Sequence, residues 1–351
     1  MAKFRVALSS DFRRANGSAT YPDFDTGPLF SHPDVEVGYV EAVEGAMPAA
    51  GLSGYDALIL LVPKFTAASV PTDGRLALVA RFGVGYDSVD VAACTAADVA
   101  LAITPDGVRR PVAVSILTFV LALSQKLLIK DKLARQGPDG WAKRSDHMGT
   151  GLIGKTLGSL GIGNIGAETY RLAAPFGMSF IAHDPYADKA VAAELGIRLV
   201  SLEDLFRQSD FLSVSCPLNE QTRGIVNAER LALMKPTAYL INTSRGPTVD
   251  QTALYQALRN GVIAGAGLDV FHTEPTPEGE AIMSLDNVIV APHSLCWTDQ
   301  CFAGIGAADV AATLAVMRGE VPRGVVNREV IDSPGWQAKL AGCRKQFGAE
   351  T

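Results

Sequence analysis

Paired cysteines are missing from this sequence. The five that occur, Cys94, Cys216, Cys296, Cys301 and Cys343, are odd in number and include no Cys-x-x-Cys spacing, so neither a disulfide framework nor a cysteine-rich zinc site is indicated, no metal site is expected, and a reducing compartment fits best. Basic charge is not in excess either. The 31 Lys and Arg against 37 Asp and Glu leave a net charge of -6, which removes the electrostatic footprint that nucleic acid or an anionic membrane surface requires. The longest apolar segment, residues 112–123, is flanked by Gln125 and Lys126 and falls short of the roughly 20 residues that span a bilayer, so it reads as a buried helix. The apolar core of a signal peptide is absent from the first eleven residues, which read as a first strand. No internal repeat or low-complexity segment is present. Together these absences predict a cytoplasmic protein with neither membrane nor nucleic acid among its partners.

Core-forming residues, by contrast, are plentiful. Hydrophobic residues make up 48% and charged ones 19% of a 351-residue chain, and since a single core stops growing near 250–300 residues, two domains are expected. Short apolar runs alternate with helical stretches, the mark of a parallel α/β architecture. Strands are predicted at residues 5–8, 35–40, 57–61, 76–81 and 100–102, forming one sheet. A long apolar helix opened by Pro111 follows, covering residues 112–133, and Gly137, Pro138 and Gly140 end it. A second sheet is predicted from residues 156–160, 179–183, 211–214, 238–242, 265–269 and 288–290. The apolar helix at 302–317 is followed by no further strand and should return to the first domain. That makes the first domain discontinuous, with two crossings near Pro105 and Trp297 and a cleft between two lobes. Residues 332–351 carry no readable signal.

The strand at 156–160 runs into Gly161-Ile162-Gly163-Asn164-Ile165-Gly166, and a helical pattern leaves it. This G-x-G-x-x-G turn between strand and helix suits a dinucleotide pyrophosphate: Gly161 allows the tight turn, Gly163 lets the backbone approach the phosphates, and Gly166 lets the helix pack close to the strand. The phosphates would sit on free N–H groups at the helix start. Asp184 ends the next apolar run, about 20 residues on, where a carboxylate accepts hydrogen bonds from the adenosine ribose and favours NAD over NADP.

Ligands of open α/β sheets bind beyond the carboxyl ends of the strands. Three residues of the second sheet stand there: Arg245 after Asn242, Glu274 after Phe271, and His293 after Val290. Singly, an Arg-Gly turn, a Glu-Pro pair or a histidine has ordinary structural explanations. As a set they supply what hydride transfer to a 2-keto acid needs. A guanidinium clamps the substrate carboxylate, a histidine gives a proton to the carbonyl oxygen near neutral pH, and a carboxylate orients that histidine.

At this point the chain resembles the D-2-hydroxyacid dehydrogenase family, which includes phosphoglycerate, D-lactate and formate dehydrogenases and glyoxylate/hydroxypyruvate reductases. The resemblance covers roughly residues 57–327 and rests on Arg81-Phe82-Gly83-Val84-Gly85-Tyr86-Asp87, Thr104-Pro105, the Gly161 to Gly166 turn, Cys216-Pro217-Leu218, Asn242 to Gly246, Leu268 to Pro275 and Pro292-His293. It implies a Rossmann NAD-binding domain, residues 106–297, inserted into a flavodoxin-like substrate domain, residues 1–105 and 298–351, each lobe a doubly wound parallel sheet. It implies Arg245, Glu274 and His293 as the catalytic set, with Val84 and Gly85 joining Arg245 and His293 in binding the substrate. Further cofactor contacts are implied at Asn164, Ile165, Cys216, Pro217, Thr222, Thr243 and Asp269, and at Thr104. It also implies NAD(H) as cofactor, a small 2-keto or 2-hydroxy acid as substrate, and a homodimer joined through the cofactor domains.

Some positions depart from the family pattern. Ser294-Leu295-Cys296-Trp297 follows His293 where relatives carry small residues, Val114 stands where a Glu is common, and Ser215 precedes Cys216 where many have His. The first departure bears on the substrate and none touches the three catalytic candidates. Lys64 and Phe65, after the strand ending at Leu61, read as a solvated loop, with reach to the substrate as the other reading. A corepressor-like nucleotide sensor of the same fold, and phosphite-type or formate oxidation, are the alternatives. The absence of a basic extension argues against the first, and Glu274, where formate dehydrogenases carry Gln, against formate.

Overall fold

The computed structural model describes residues 3–348. The chain forms two compact units, Met1–Val108 with Thr298–Thr351, and Arg109–Trp297. In the first, β1 (Phe4–Ser9), β2 (Val35–Val40), β3 (Ala57–Leu60), β4 (Leu78–Arg81) and β5 (Ala100–Ile103) pair in the order β2-β1-β3-β4-β5, and every pairing is parallel. The uninterrupted apolar run of β3 is buried along its whole length, as strands covered on both faces must be. Strand order reverses between β1 and β3, which creates a crevice at their carboxyl ends.

The second unit holds seven parallel strands: β6 (Thr156–Leu160), β7 (Ser179–His183), β8 (Ile197–Leu199), β9 (Phe211–Val214), β10 (Tyr239–Asn242), β11 (Gly265–Leu268) and β12 (Val288–Val290). Their order is β12-β11-β10-β9-β6-β7-β8. Its switch point lies between β6 and β9, so the glycine turn after β6 and Cys216 after β9 flank one crevice. Apolar residues of β9, β10 and β11 pack beneath, with Leu212, Leu240 and Ala266 fully buried. Both sheets are doubly wound and parallel, as the sequence predicts.

The structure corrects the helix around Pro111. It starts at Pro105, keeps Pro111 inside and ends at Ser124. Lys126 then adopts a left-handed conformation, φ 53°, before a separate helix, Leu127–Arg135. Two prolines compete for the first helical position, where a missing N–H costs nothing, and Pro105 takes it. The strand β8 is absent from the sequence reading because three edge residues carry too little pattern. The segment after Asp332 also proves ordered: Pro334–Phe347 is a helix that buries Trp336 completely. Trp336 Nε1 donates to the Ala77 carbonyl at 2.9 Å. Among the described residues two helices, Pro105–Ser124 and Asp299–Met317, are long and apolar enough to cross a membrane, and 56% of the most apolar window of each is buried inside the protein.

Candidate active site

The three glycines of the turn stand in different physical situations. Gly161 has φ 94°, left-handed backbone that other residues enter only with strain. A Cβ on Gly166 would come within 2.7 Å of the Gly161 carbonyl, so the helix can close on the turn only with glycine there. A Cβ on Gly163, however, would meet no protein atom within 4 Å. Gly163 and Asn164 are exposed, and the helix Asn164–Ala173 has no side-chain cap, which leaves its first N–H groups facing outward with the positive end of the helix dipole behind them. These features fit the pyrophosphate of a dinucleotide.

Asp184 sits at the end of β7 with both carboxylate oxygens engaged. Oδ2 accepts from the Ile162 N–H at 2.9 Å and Oδ1 from the Tyr186 N–H at 2.9 Å. The acid thus grips the glycine turn from the neighbouring strand, and each oxygen keeps lone-pair capacity for a ribose hydroxyl. Cys216 packs against the same turn. Burial pushes its thiol up to about 11, and the Asp184 charge adds to this; the residue is a wall of the crevice, not a nucleophile. Thr222 folds the exposed loop after Cys216-Pro217, its hydroxyl donating to the Pro217 carbonyl at 2.6 Å.

The loop after β10 is organised by a residue outside the expected set. Asn242 is 1% exposed; its Nδ2 donates to the Arg245 carbonyl at 3.0 Å and its Oδ1 accepts from the Ser244 N–H at 3.0 Å. Arg245 is presented in extended backbone, φ -141° and ψ 138°, and its guanidinium donates to the Ser244 carbonyl at 2.7 Å. Gly246 is obligatory here. A Cβ on it would lie 1.8 Å from the Phe271 carbonyl oxygen, so this glycine lets the Arg245 loop touch the loop that carries Glu274.

Glu274 binds in two directions. Its Oε1 accepts from the Phe271 N–H at 2.8 Å and its Oε2 contacts His293 Nδ1 at 2.7 Å. Burial works against the Glu274 charge, but the hydrogen bonds from His293 and Phe271, with the His293 and Arg245 charges, outweigh it and hold the carboxyl below its ordinary value. His293 itself has φ 53°, an uncommon conformation for a non-glycine residue and one that clusters at functional positions. Asp269 secures the chain just beyond it. Its carboxylate accepts from the Ser294 N–H at 2.9 Å and the Leu295 N–H at 3.2 Å, and burial raises its carboxyl above the ordinary value despite those donors. Asp269 therefore positions the His293 loop, a role the sequence reading did not assign. The ring edge left to face a substrate is Nε2, because Nδ1 is spent on Glu274.

In the first unit, Val84 and Gly85 are half-buried in the loop after β4. Thr104 anchors that loop: its hydroxyl accepts from the Gly83 N–H at 3.0 Å and lies 3.1 Å from the Gly83 carbonyl. Thr104 is 2% exposed, so what it contributes here is support of the loop. Phe65 is fully buried in the first core and cannot reach a substrate, whereas Lys64 is exposed. No group of three or more His, Cys, Asp and Glu side chains suited to a metal occurs among the described residues.

Fold and site together define a dinucleotide-dependent oxidoreductase. Residues 117–294 match the NAD-binding domain of the D-isomer specific 2-hydroxyacid dehydrogenases. The chain is 37% identical over 289 residues to a glyoxylate reductase of Korarchaeum cryptofilum, covering 80% of this chain and 86% of that protein. It is 38% identical over 291 residues to a glyoxylate reductase of Thermococcus onnurineus, with the same coverage of 80% and 86%. Among solved structures, an NADPH-dependent glyoxylate/hydroxypyruvate reductase from Sinorhizobium meliloti, in complex with NADP and malonate, superposes with a TM-score of 0.77 at 29% identity, covering 93% of this chain and 98% of that one. The chain belongs to the D-isomer specific 2-hydroxyacid dehydrogenase family. Its activity is NAD-dependent dehydrogenation at a CH–OH group, with NAD(H) as cofactor.

Proposed function

We propose that the chain works as a reductase of a small 2-keto acid of the glyoxylate or hydroxypyruvate class, with Arg245, Glu274 and His293 as its catalytic residues. The observation that carries this reading is the 2.7 Å contact between Glu274 Oε2 and His293 Nδ1, built at the carboxyl edge of the sheet that holds the dinucleotide turn. Bound NADH supplies the hydride that reduces C2. His293 delivers a proton from Nε2 to the carbonyl oxygen, so that C=O becomes CH–OH, and the adjacent Glu274 carboxylate stabilises the imidazolium before that transfer. Arg245 clamps the substrate carboxylate through its planar fork of N–H groups, and the backbone N–H groups of Val84 and Gly85 are its further donors. Gly161, Gly163, Asn164, Ile165 and Gly166 hold the pyrophosphate, Asp184 the adenosine ribose, and Cys216, Pro217, Thr222 and Thr243 line the crevice. Asp184 favours NAD by repelling a 2′-phosphate.

The glyoxylate reductases among its relatives support the substrate class. A homodimer in the cytoplasm, without nucleic acid or membrane as partner, completes the reading and is supported by the acidic balance of the chain and by exposed apolar side chains on the second unit. Replacement His293→Ala should lower kcat for glyoxylate or hydroxypyruvate by roughly 10²–10⁴-fold, the usual worth of a positioned general acid, while NADH binding followed by fluorescence is retained. Turnover unchanged from wild type would remove His293 from the mechanism.

A further inference from the structure

The helix that carries the dinucleotide turn has a carboxylate beneath its open end. Glu168 lies on the helix Asn164–Ala173, one turn past Asn164, which is about 6 Å along the axis. Helical side chains lean back toward the N-terminus, so its charge lies nearer still to the first N–H groups. The residue is 7% exposed. A buried carboxylate there complements the positive end of the helix dipole itself and repels a second anion at the same end. A pyrophosphate at the turn and this carboxylate therefore compete for one positive pole.

Arginine neutralises it. Arg110, from the helix Pro105–Ser124, donates from Nη1 to Glu168 Oε1 at 2.6 Å. The Arg110 side chain is 63% exposed, so it reaches in from the surface to the buried carboxylate. Arg171 stands farther off, 3.7 Å from Oε2, and is shared with Glu194 at 3.9 Å. The Arg110 hydrogen bond, with the Arg110, Arg109 and Arg171 charges, holds the Glu168 carboxyl below its ordinary value against burial, so the group is ionised and paired. The two helices are also joined in one apolar core, to which Ile116, Phe119 and Val120 contribute from one and Tyr170 and Ala173 from the other. Since that packing already fastens them together, and an ion pair with an exposed partner adds little to stability, the pair is left with an electrostatic task. All of these side chains belong to the second unit.

We infer that Arg110 is a positioning residue for the cofactor: by neutralising Glu168 it leaves the positive end of the dinucleotide helix to the pyrophosphate of NAD(H). The inference rests on the proposed seat of the pyrophosphate at the glycine turn, and the two fail differently. The experiment measures Kd for NADH by fluorescence titration of the full-length protein in about 20 mM and about 500 mM salt. Arg110→Ala leaves Glu168 charged without its nearest partner and should weaken NADH by about fivefold or more in low salt, and by less in high salt. Glu168→Gln, Arg110→Lys and the double variant Arg110→Ala with Glu168→Gln should each stay within about twofold of wild type, because none leaves an unpaired carboxylate. If Arg110→Ala does not yield folded protein, Arg110→Gln reads the same difference. NADH bound by Arg110→Ala as tightly as by wild type would overturn the inference. A double variant as weak as Arg110→Ala would overturn it too, reducing the pair to a structural brace. Asn164→Glu places a charge at the exposed helix start itself and should weaken NADH at least as much as Arg110→Ala. NADH binding indifferent to Asn164→Glu would overturn the seat of the pyrophosphate, and the inference with it.

Discussion

A carboxylate held below its ordinary value in the folded protein favours the folded state at every pH above its unfolded value, and that contribution disappears as pH falls through the folded value. Glu274 is such a group, although burial alone would raise it. Its stabilising contribution should therefore be fully present above about pH 4.3, the unperturbed value for Glu, and be lost only in more acidic solution. Glu274→Gln keeps an acceptor but removes the charge, so its melting temperature should lie below that of wild type at neutral pH, and the gap should close below about pH 4. A gap that instead widened toward acid would mean that Glu274 is not stabilised by ionisation. The strand-end positions of Arg245, Glu274 and His293 were legible in the sequence, because strand ends are visible as the points where apolar runs stop, and the structure brings Glu274 onto His293. The roles of Asn242, Gly246 and Asp269 were not legible. Each acts through a partner brought near by folding, namely the Arg245 carbonyl, the Phe271 carbonyl and the Ser294 and Leu295 N–H groups, and strand-end order contains no information about such partners.

Elements with strong periodicity could be placed to within a residue or two. The strand at Val35–Val40 and the four strands Thr156–Leu160, Ser179–His183, Phe211–Val214 and Val288–Val290 fall where their apolar runs begin and end. Pro111 misled because a proline inside a helix and a proline starting one look alike in sequence, and only the packing of the preceding turn separates them. The Gly107 position supplies that packing, since a Cβ there would lie within 2.5 Å of the Ile305 backbone nitrogen. The final helix, Pro334–Phe347, had a signal that went unread. Trp336, Leu340 and Cys343 recur at helical spacing on one face, and all are buried. Lys339 strengthens the attachment, its ammonium donating to the Leu76, Ala97 and Asp98 carbonyls at 2.8, 2.9 and 2.8 Å. Trp336→Ala should cost about 3–5 kcal/mol, the usual range for truncating a buried aromatic, read as a lower denaturation midpoint at unchanged slope. An unchanged midpoint would show that the helix is not part of the cooperative fold of the first unit.

At the scale of the molecule, the second unit exposes apolar surface that its own sheet leaves uncovered. Between the end of the helix Pro105–Ser124 and β6, Leu127, Leu128, Trp141, Met148 and Ile153 are 56%, 54%, 61%, 73% and 88% exposed. Single exposed apolar residues need no explanation, but five large ones on one connected excursion are what a monomer avoids and an interface uses. The helices Leu127–Arg135 and Pro138–Ala142 pack on each other and on the turn Arg144–His147, so these side chains are carried on a folded platform. An exposed aromatic such as Trp141 is the residue type that dominates interface energetics. The wild-type chain should therefore sediment as a dimer, and Trp141→Glu combined with Ile153→Lys should convert it to a monomer by placing charge in the contact. That variant should still bind NADH, because neither residue lies in the glycine turn or beside Asp184. A monomeric wild type, or a dimer indifferent to both charges, would show that this surface serves no self-association.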